Sequence, residues 1–385
     1  MTHGTVHSGS ERRPATGAVR LPWVDIAKSA AIVLVVFYHV GRVGLGAAPG
    51  TVGPATRPWL DLNMVLVPVR MPVFFLVSGL LAASALSRPW PRVLRGKVLD
   101  LLWPYVLWTV LFGFVWVHAS FPDDPGTWFW YNLRMLPFGG LAYWYLSLLI
   151  VFFLAAKALR RHPVPVLVGS LVLLAAAPAI GTLVDANGDQ SGTVNVMRLA
   201  TFAVWFFAGA YLPALVRRVA TAGGPGGLVT AVAGYALLAY LFYYDHAPGG
   251  VEFFLAPVGV LASVWAAVAL ARFGWIRRLA GYLSRRTLAI YVLHPILIHA
   301  TVWAARSSGA DPLGDLDNVV VDFLFVPTFA LLVTAVAVGF YDLAGRIGLG
   351  WLFRWPLRPA VSASPSSPGS AVPPAPEPAP QRTPA

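Results

Sequence analysis

Ten runs of mostly apolar residues recur along a chain of 385 residues, at 24–44, 60–86, 98–119, 141–156, 163–184, 198–215, 226–244, 253–271, 287–305 and 319–345. A helix needs about 20 such residues to cross the hydrocarbon of a bilayer, and all the runs but the short fourth meet or approach that length. Within hydrocarbon, backbone N–H and C=O groups must find partners inside the protein, and runs of this length do so as helices. The expected fold is all-α: a polytopic integral membrane bundle of about ten transmembrane helices. Composition agrees, with 57% hydrophobic and only 11% charged residues, where a soluble domain carries about 25%. A disordered body and a coiled coil are excluded.

The basic residues sort by side. Of the 28 Lys and Arg, 22 fall on the tails, on the loops of the N-terminal side, or at Lys28 where the first span starts. Arg42, Arg57, Arg134, Arg198 and Arg306 fall on the other side, and Arg70 lies inside a span. Acidic residues lean the opposite way, as at Asp123, Asp189, Asp245 and Asp315. The positive-inside rule then puts both termini in the cytoplasm of a multi-pass cell-membrane protein. The net charge of +12 reads as this topological signal, with membrane lipid and no nucleic acid as its partner. Residues 1–20 form a cytoplasmic N-terminal tail without the marks of a cleavable signal. Residues 21–350 form the transmembrane domain, and the Pro/Ala/Ser-rich residues 351–385 are expected to be a disordered cytoplasmic tail. The sequence has no Cys, which removes disulfides, thiolate metal sites and a cysteine nucleophile. No metal is expected, and the oligomeric state stays open.

Polar side chains within spans are functional candidates because they are costly there. Lys28 and His39 stand eleven residues apart in the first span. At about 100° per residue this is three turns plus about 20°, so both leave one face, about 16 Å apart along the axis. Asp25 lies near that face, one turn from Lys28. Either Lys28 snorkels to the headgroups with Asp25 as partner or cap while His39 packs, or the stripe carries chemistry.

Arg70 sits near the middle of the second span, where an unpaired guanidinium costs at least about 2.5 kcal/mol. It should face a partner or a polar cavity, and a cavity entered by an anionic substrate would suit it. Pro68 and Pro72 flank it. Ser78-Gly79 reads as a close-packing helix contact before it reads as a nucleophile. In the ninth span, Pro295 frees the carbonyl of Tyr291, and His294 at that break either lines a cavity or bonds across helices. His299, five residues on, lies about 140° around the helix, so the two cannot chelate. His118 and Asp123 have an acyltransferase-like spacing, but on an outer loop with no soluble catalytic fold around it, and are set aside.

Lys28-x10-His39 with Asp25 resembles the first-helix motif of the membrane acyltransferase 3 family, and most closely its fucose 4-O-acetylase-like branch. Met71-Pro72-Val73-Phe74-Phe75-Leu76-Val77-Ser78-Gly79, Leu102-Trp103-Pro104-Tyr105, Tyr143-Trp144-Tyr145-Leu146, Phe206-Phe207-Ala208-Gly209 and Ile290-Tyr291-Val292-Leu293-His294-Pro295 resemble later family segments, in order. Arg70 stands where that branch would have His, and Leu80 follows Ser78-Gly79 where an aromatic is common. The resemblance implies transfer of an acyl group, usually acetyl, from cytoplasmic acetyl-CoA or another acyl-CoA to a hydroxyl of a cell-surface glycan or a glycosylated small molecule. Acyl-CoA would be a co-substrate, with no tightly bound cofactor. His39 would be the catalytic base or a transient acyl carrier. Lys28 and Arg70 would bind the donor or stabilise charge, with Asp25, Ser78, Tyr105, Trp144 and His294 in support. A transporter or flippase of a lipid-linked or acylated molecule, using the same polar stripe as a path, is the alternative.

Overall fold

A computed structural model describes residues 21–44, 55–185, 190–244, 252–308 and 319–356. The expected tails at 1–20 and 357–385 lie outside the described residues. Every regular element among those described is helical. The α-helices run as α1 (Pro22–His39), α2 (Arg57–Ala82), α3 (Trp90–Val93), α4 (Leu99–Ser120), α5 (Pro125–Arg134), α6 (Trp144–Ala158) and α7 (Pro163–Asp185). They continue as α8 (Gln190–Tyr211), α9 (Pro213–Ala222), α10 (Pro225–Tyr244), α11 (Glu252–Leu270), α12 (Gly274–Ser284), α13 (Thr287–Ser307) and α14 (Val319–Arg346).

Among the described residues, eight helices are long and apolar enough to cross a membrane. A ninth crossing is added if α8 and α9, bent by 92° at Leu212, count as one. The remaining apolar run is α6, whose 15 residues span about 22 Å, short of a hydrocarbon core of about 30 Å. The outward faces of α7, α10 and α14 expose Val172, Val229, Leu237 and Leu331, apolar surface that suits lipid. The chain is a multi-pass helical membrane protein.

α1 is the central helix. It starts with Pro at its first position and Asp25 in its first turn, both favourable there. It packs against α2, α11, α12, α13 and α14, which buries Ile32, Val36 and Val40 completely. Directly after His39 the chain widens into a π-helical turn, Val40–Gly44.

α2 and α8 touch backbone to backbone. A Cβ built on Gly79 collides with the carbonyl oxygen of Phe206, and one on Gly209 collides with that of Leu76. The small residue of Ser78-Gly79 is thus a helix contact. Gly79→Leu and Gly209→Leu should each prevent a monodisperse preparation or lower the melting temperature by several degrees, on the usual scale of about 1–3 kcal/mol for overpacking. Wild-type melting in fluorescence-detected size exclusion would contradict the packing.

Two short helices depart from the expected plan of spans and loops. α9 and α12 are amphipathic, each with an Arg pair (Arg217-Arg218, Arg277-Arg278) and with exposed apolar residues such as Leu215, Trp275 and Leu279. Such helices lie along an interface. The expected sixth span accordingly stops at Tyr211 instead of 215, because the chain turns before Pro213.

The C-terminal boundary is also corrected. The chain turns after α14 through Gly348 in the left-handed region (φ 82°) and forms a 3-10 helix, Leu349–Phe353. The indole N–H groups of Trp103 and Trp108 donate to the carbonyls of Trp351 (2.8 Å) and Leu352 (2.9 Å). Phe353 is buried and stacks on Trp108 at 5.5 Å. Residues 351–356, expected in a disordered tail, belong to the folded body because their aromatic groups pack against α4.

Candidate functional site

Lys28 does not reach for the headgroups. Its ammonium donates to the carbonyl of Ser284 at 3.0 Å, at the C-terminal end of α12, where a cation is favoured. Thr287 Oγ1 donates to the same carbonyl at 3.2 Å. Ser284 Oγ in turn donates to Asp25 Oδ1. Asp25 therefore orients the seat of Lys28 through Ser284.

Lys28 lines a cavity of about 410 Å³. By helix register, Lys28, Lys97, Asp100 and Arg354 stand at one end and Phe74, Ser78, Tyr145 and Tyr291 at the other. Ser78 Oγ and the Tyr145 hydroxyl are hydrogen-bonded at 2.6 Å. The Tyr291 hydroxyl accepts from the Tyr145 backbone N–H at 3.3 Å and donates to the Ala142 carbonyl at 3.3 Å. These hydroxyls form the deep wall.

Beyond Tyr291 the rings continue. Tyr291 lies 5.9 Å from His294, and His294 lies 5.0 Å from His39, centroid to centroid. α1 thus meets the end of α12 through Lys28 and, eleven residues on, α13 through His39. His39 Nδ1 bonds the Val35 carbonyl at 2.9 Å, and His294 Nδ1 bonds the Ile290 carbonyl at 3.1 Å. A carbonyl only accepts, so in each neutral ring Nδ1 carries the proton and Nε2 carries the lone pair. His294 is buried to 1% exposure, and its Nε2 has no partner among the described residues. Among the described residues it makes no bond across helices, and its ring packs against that of His39, tilted by 59°.

Arg70 is buried beside this pair, not in the Lys28 cavity. Its Nη1 and Nη2 donate to the carbonyls of Leu34 (3.3 Å) and Asn63 (3.4 Å). Its guanidinium lies 4.0 Å over the Tyr38 ring, which meets His39 edge-on at 5.1 Å. The partners expected for a mid-membrane Arg are present, and all are neutral.

The supporting residues divide. Ser78 is on the cavity wall. Trp144 carries the guanidinium of Arg198 on its face at 4.4 Å and stacks on Phe202 at 5.6 Å. Tyr105 donates to the Leu136 carbonyl at 2.6 Å and pins the segment before α6, off the cavity. His299 packs against Phe112 at 5.4 Å. His118 bonds its own helix at Phe114 (2.8 Å). Sequence reasoning missed Ser284, Thr287, Lys97 and Arg198. Arg198 left one readable signal, a lone Arg one turn after Asn195 at a span end.

A family model described as an acyltransferase domain matches residues 21–342. Inner membrane protein YcfT of Escherichia coli (strain K12) is similar to the chain, 27% identical over 176 residues that cover 40% of this chain and 48% of the relative. The chain thus spans about half the length of that relative. No solved structure matches. With the family model covering every described helix from α1 to within α14, the chain belongs to the acyltransferase 3 family.

Proposed function

We propose that this acyltransferase is a cell-membrane O-acyltransferase, with both termini and the Lys28 end facing the cytoplasm. It takes an acyl group, acetyl first among candidates, from acyl-CoA and places it on a hydroxyl of a cell-surface glycan or glycosylated small molecule. The observation that carries this reading is the cavity with Lys28 at one end and Tyr291 on its wall, from which a row of ring contacts runs on through His294 to His39. Cations at the wide end suit donor phosphates. An uncharged thioester arm suits the apolar length between Lys28 and Tyr145.

His39 Nε2, the lone-pair nitrogen of the ring anchored at Val35, takes the proton of the acceptor hydroxyl as its oxygen attacks the thioester carbonyl. Arg70 holds the developing oxyanion. The C–S bond then breaks, and the leaving thiolate collects the proton, giving ester and free CoA thiol. His294 positions the His39 ring.

The test uses purified full-length chain in nanodiscs with acetyl-CoA, with and without a crude cell-envelope glycan fraction, and reads free CoA thiol. Release stimulated by the glycan fraction supports the reading. No release, together with no acetyl-CoA binding by calorimetry, would replace it by transport of a lipid-linked or acylated molecule. His294→Leu should fold and bind donor yet release thiol about a hundredfold more slowly, the scale for a misplaced catalytic group. An unchanged rate would remove His294 from the site.

A further inference from the structure

Three guanidiniums gather around the Tyr38–His39 corner, and none is ion-paired among the described residues. Arg42 Nη1 donates to the Tyr38 hydroxyl at 3.2 Å. Arg70 covers the Tyr38 ring at 4.0 Å and bonds only carbonyls. Arg198 rests on Trp144 at 4.4 Å and bonds Asn195 Oδ1 at 3.0 Å. Arg42 and Arg70 both meet Tyr38, the neighbour of His39, and Arg198 lies on Trp144, next to Tyr145, whose ring meets Tyr291 at 5.4 Å in the row that leads through His294 to His39. Arg286 pairs with Asp342 at 2.7 Å and Arg57 with Asp61 at 3.2 Å, whereas among the described residues no carboxylate pairs with the three guanidiniums at this corner.

A guanidinium offers five N–H donors, and each of these three uses one or two of them on the described residues. Two other buried polar atoms at this corner also lack a partner among the described residues: His294 Nε2, beside His39, and Asn63 Oδ1, on the residue whose carbonyl accepts from Arg70. Unused donors, unneutralised cations and orphaned acceptors together describe a place for a ligand that brings both an anion and a hydroxyl.

The donor does not supply that anion. Its phosphates belong to the Lys28 end, about 16 Å down α1 by helix rise, and its thioester arm is neutral. The oxyanion of the transfer step is a single and transient charge, for which one guanidinium suffices. The two further cations, Arg42 and Arg198, fit a standing negative charge, and the remaining reactant is the acceptor.

We infer that the acceptor is itself anionic, a hydroxylated sugar carrying a carboxylate or phosphate that Arg42 and Arg198 clamp while its hydroxyl meets His39 and Arg70 serves the transient oxyanion. This rests on the acyltransferase reading for the identity of the bound molecule, but not for the anion site. Both anions have the shared chemistry of a planar or tetrahedral oxyanion recognised by forked donors.

The experiment measures binding of glucuronate, glucose 1-phosphate and glucose to the full chain in nanodiscs, without donor, by calorimetry at low ionic strength. At least one of the two anions should bind about tenfold or more tightly than glucose, the scale of charge-assisted hydrogen bonds. Which of the two does so separates a sugar acid from a sugar phosphate. Arg198→Gln should weaken that binding about tenfold, Arg198→Lys should restore most of it, and Arg134→Gln, on an exposed Arg outside the cluster, should leave it as in wild type. Equal affinity for all three sugars, or no binding of any, overturns the proposal, as does an Arg198→Gln variant that folds and binds like wild type. Anion binding without any CoA release would keep the anion site and discard the acyltransferase chemistry; CoA release with glucose as good an acceptor as glucuronate would do the reverse.

Discussion

His39→Ala should lower glycan-dependent release of CoA thiol by about 10²–10⁴-fold, the range for losing a general base, with little change in melting temperature. The ring is half-buried, and its one hydrogen bond goes to its own helix at Val35, so its removal leaves no long-range partner stranded. His39→Asn sharpens the test. The Asn amide can still donate to the Val35 carbonyl but offers no basic nitrogen where Nε2 stood. Equal loss in the Ala and Asn variants assigns the effect to the lone pair. Recovery in Asn alone would mean that the Val35 bond, and the helix end it holds, is what matters. Activity above a tenth of wild type in both would remove His39 as the base.

Lys28→Ala should raise the KM for acetyl-CoA about tenfold or more while changing kcat less, because a charge-assisted bond to the donor is worth about 1.5–3 kcal/mol. The discriminating measurement uses S-acetyl-N-acetylcysteamine, which has the thioester but no phosphates. Wild type and Lys28→Ala should handle this truncated donor almost equally. The Ser284 carbonyl keeps Thr287 as a partner at 3.2 Å, so the variant does not orphan it. An equal loss with both donors would show that Lys28 acts only by holding α12 against α1, a structural bond with no part in donor binding.

The periodic features of this architecture were readable in the chain. The ten apolar runs coincide with helices because a bilayer fixes the length of a crossing. The Lys28–His39 stripe was readable because eleven residues return a helix almost to the same azimuth. What each stripe residue meets was not readable. The seat of Lys28 is a carbonyl supplied 256 residues away, and no local pattern announces it. Arg198 looked like an ordinary loop cation until α8 placed it over Trp144. The interfacial course of α9 and α12 was hidden for a different reason: each is too short for the window that detects a span, and its Arg pair reads equally well as a loop. Residues 351–356 were lost to the tail because Trp351 and Phe353 are too few to register as a segment, although α4 supplies two indole donors and a stacking face for them.

That last segment sets an order of events for biogenesis. Phe353 and Arg354 stand on the wall of the cavity that Lys28 also lines, yet they are separated from Lys28 in the sequence by nearly the whole translated length of the body. A nascent chain can insert α1 to α14 and still lack one side of the chamber. Only when the ribosome has released the residues after Gly348, and they have folded back under Trp103 and Trp108, is the chamber closed. Incomplete polypeptides, arrested or clipped before that point, would therefore sit in the bilayer without the Phe353–Arg354 wall of this chamber.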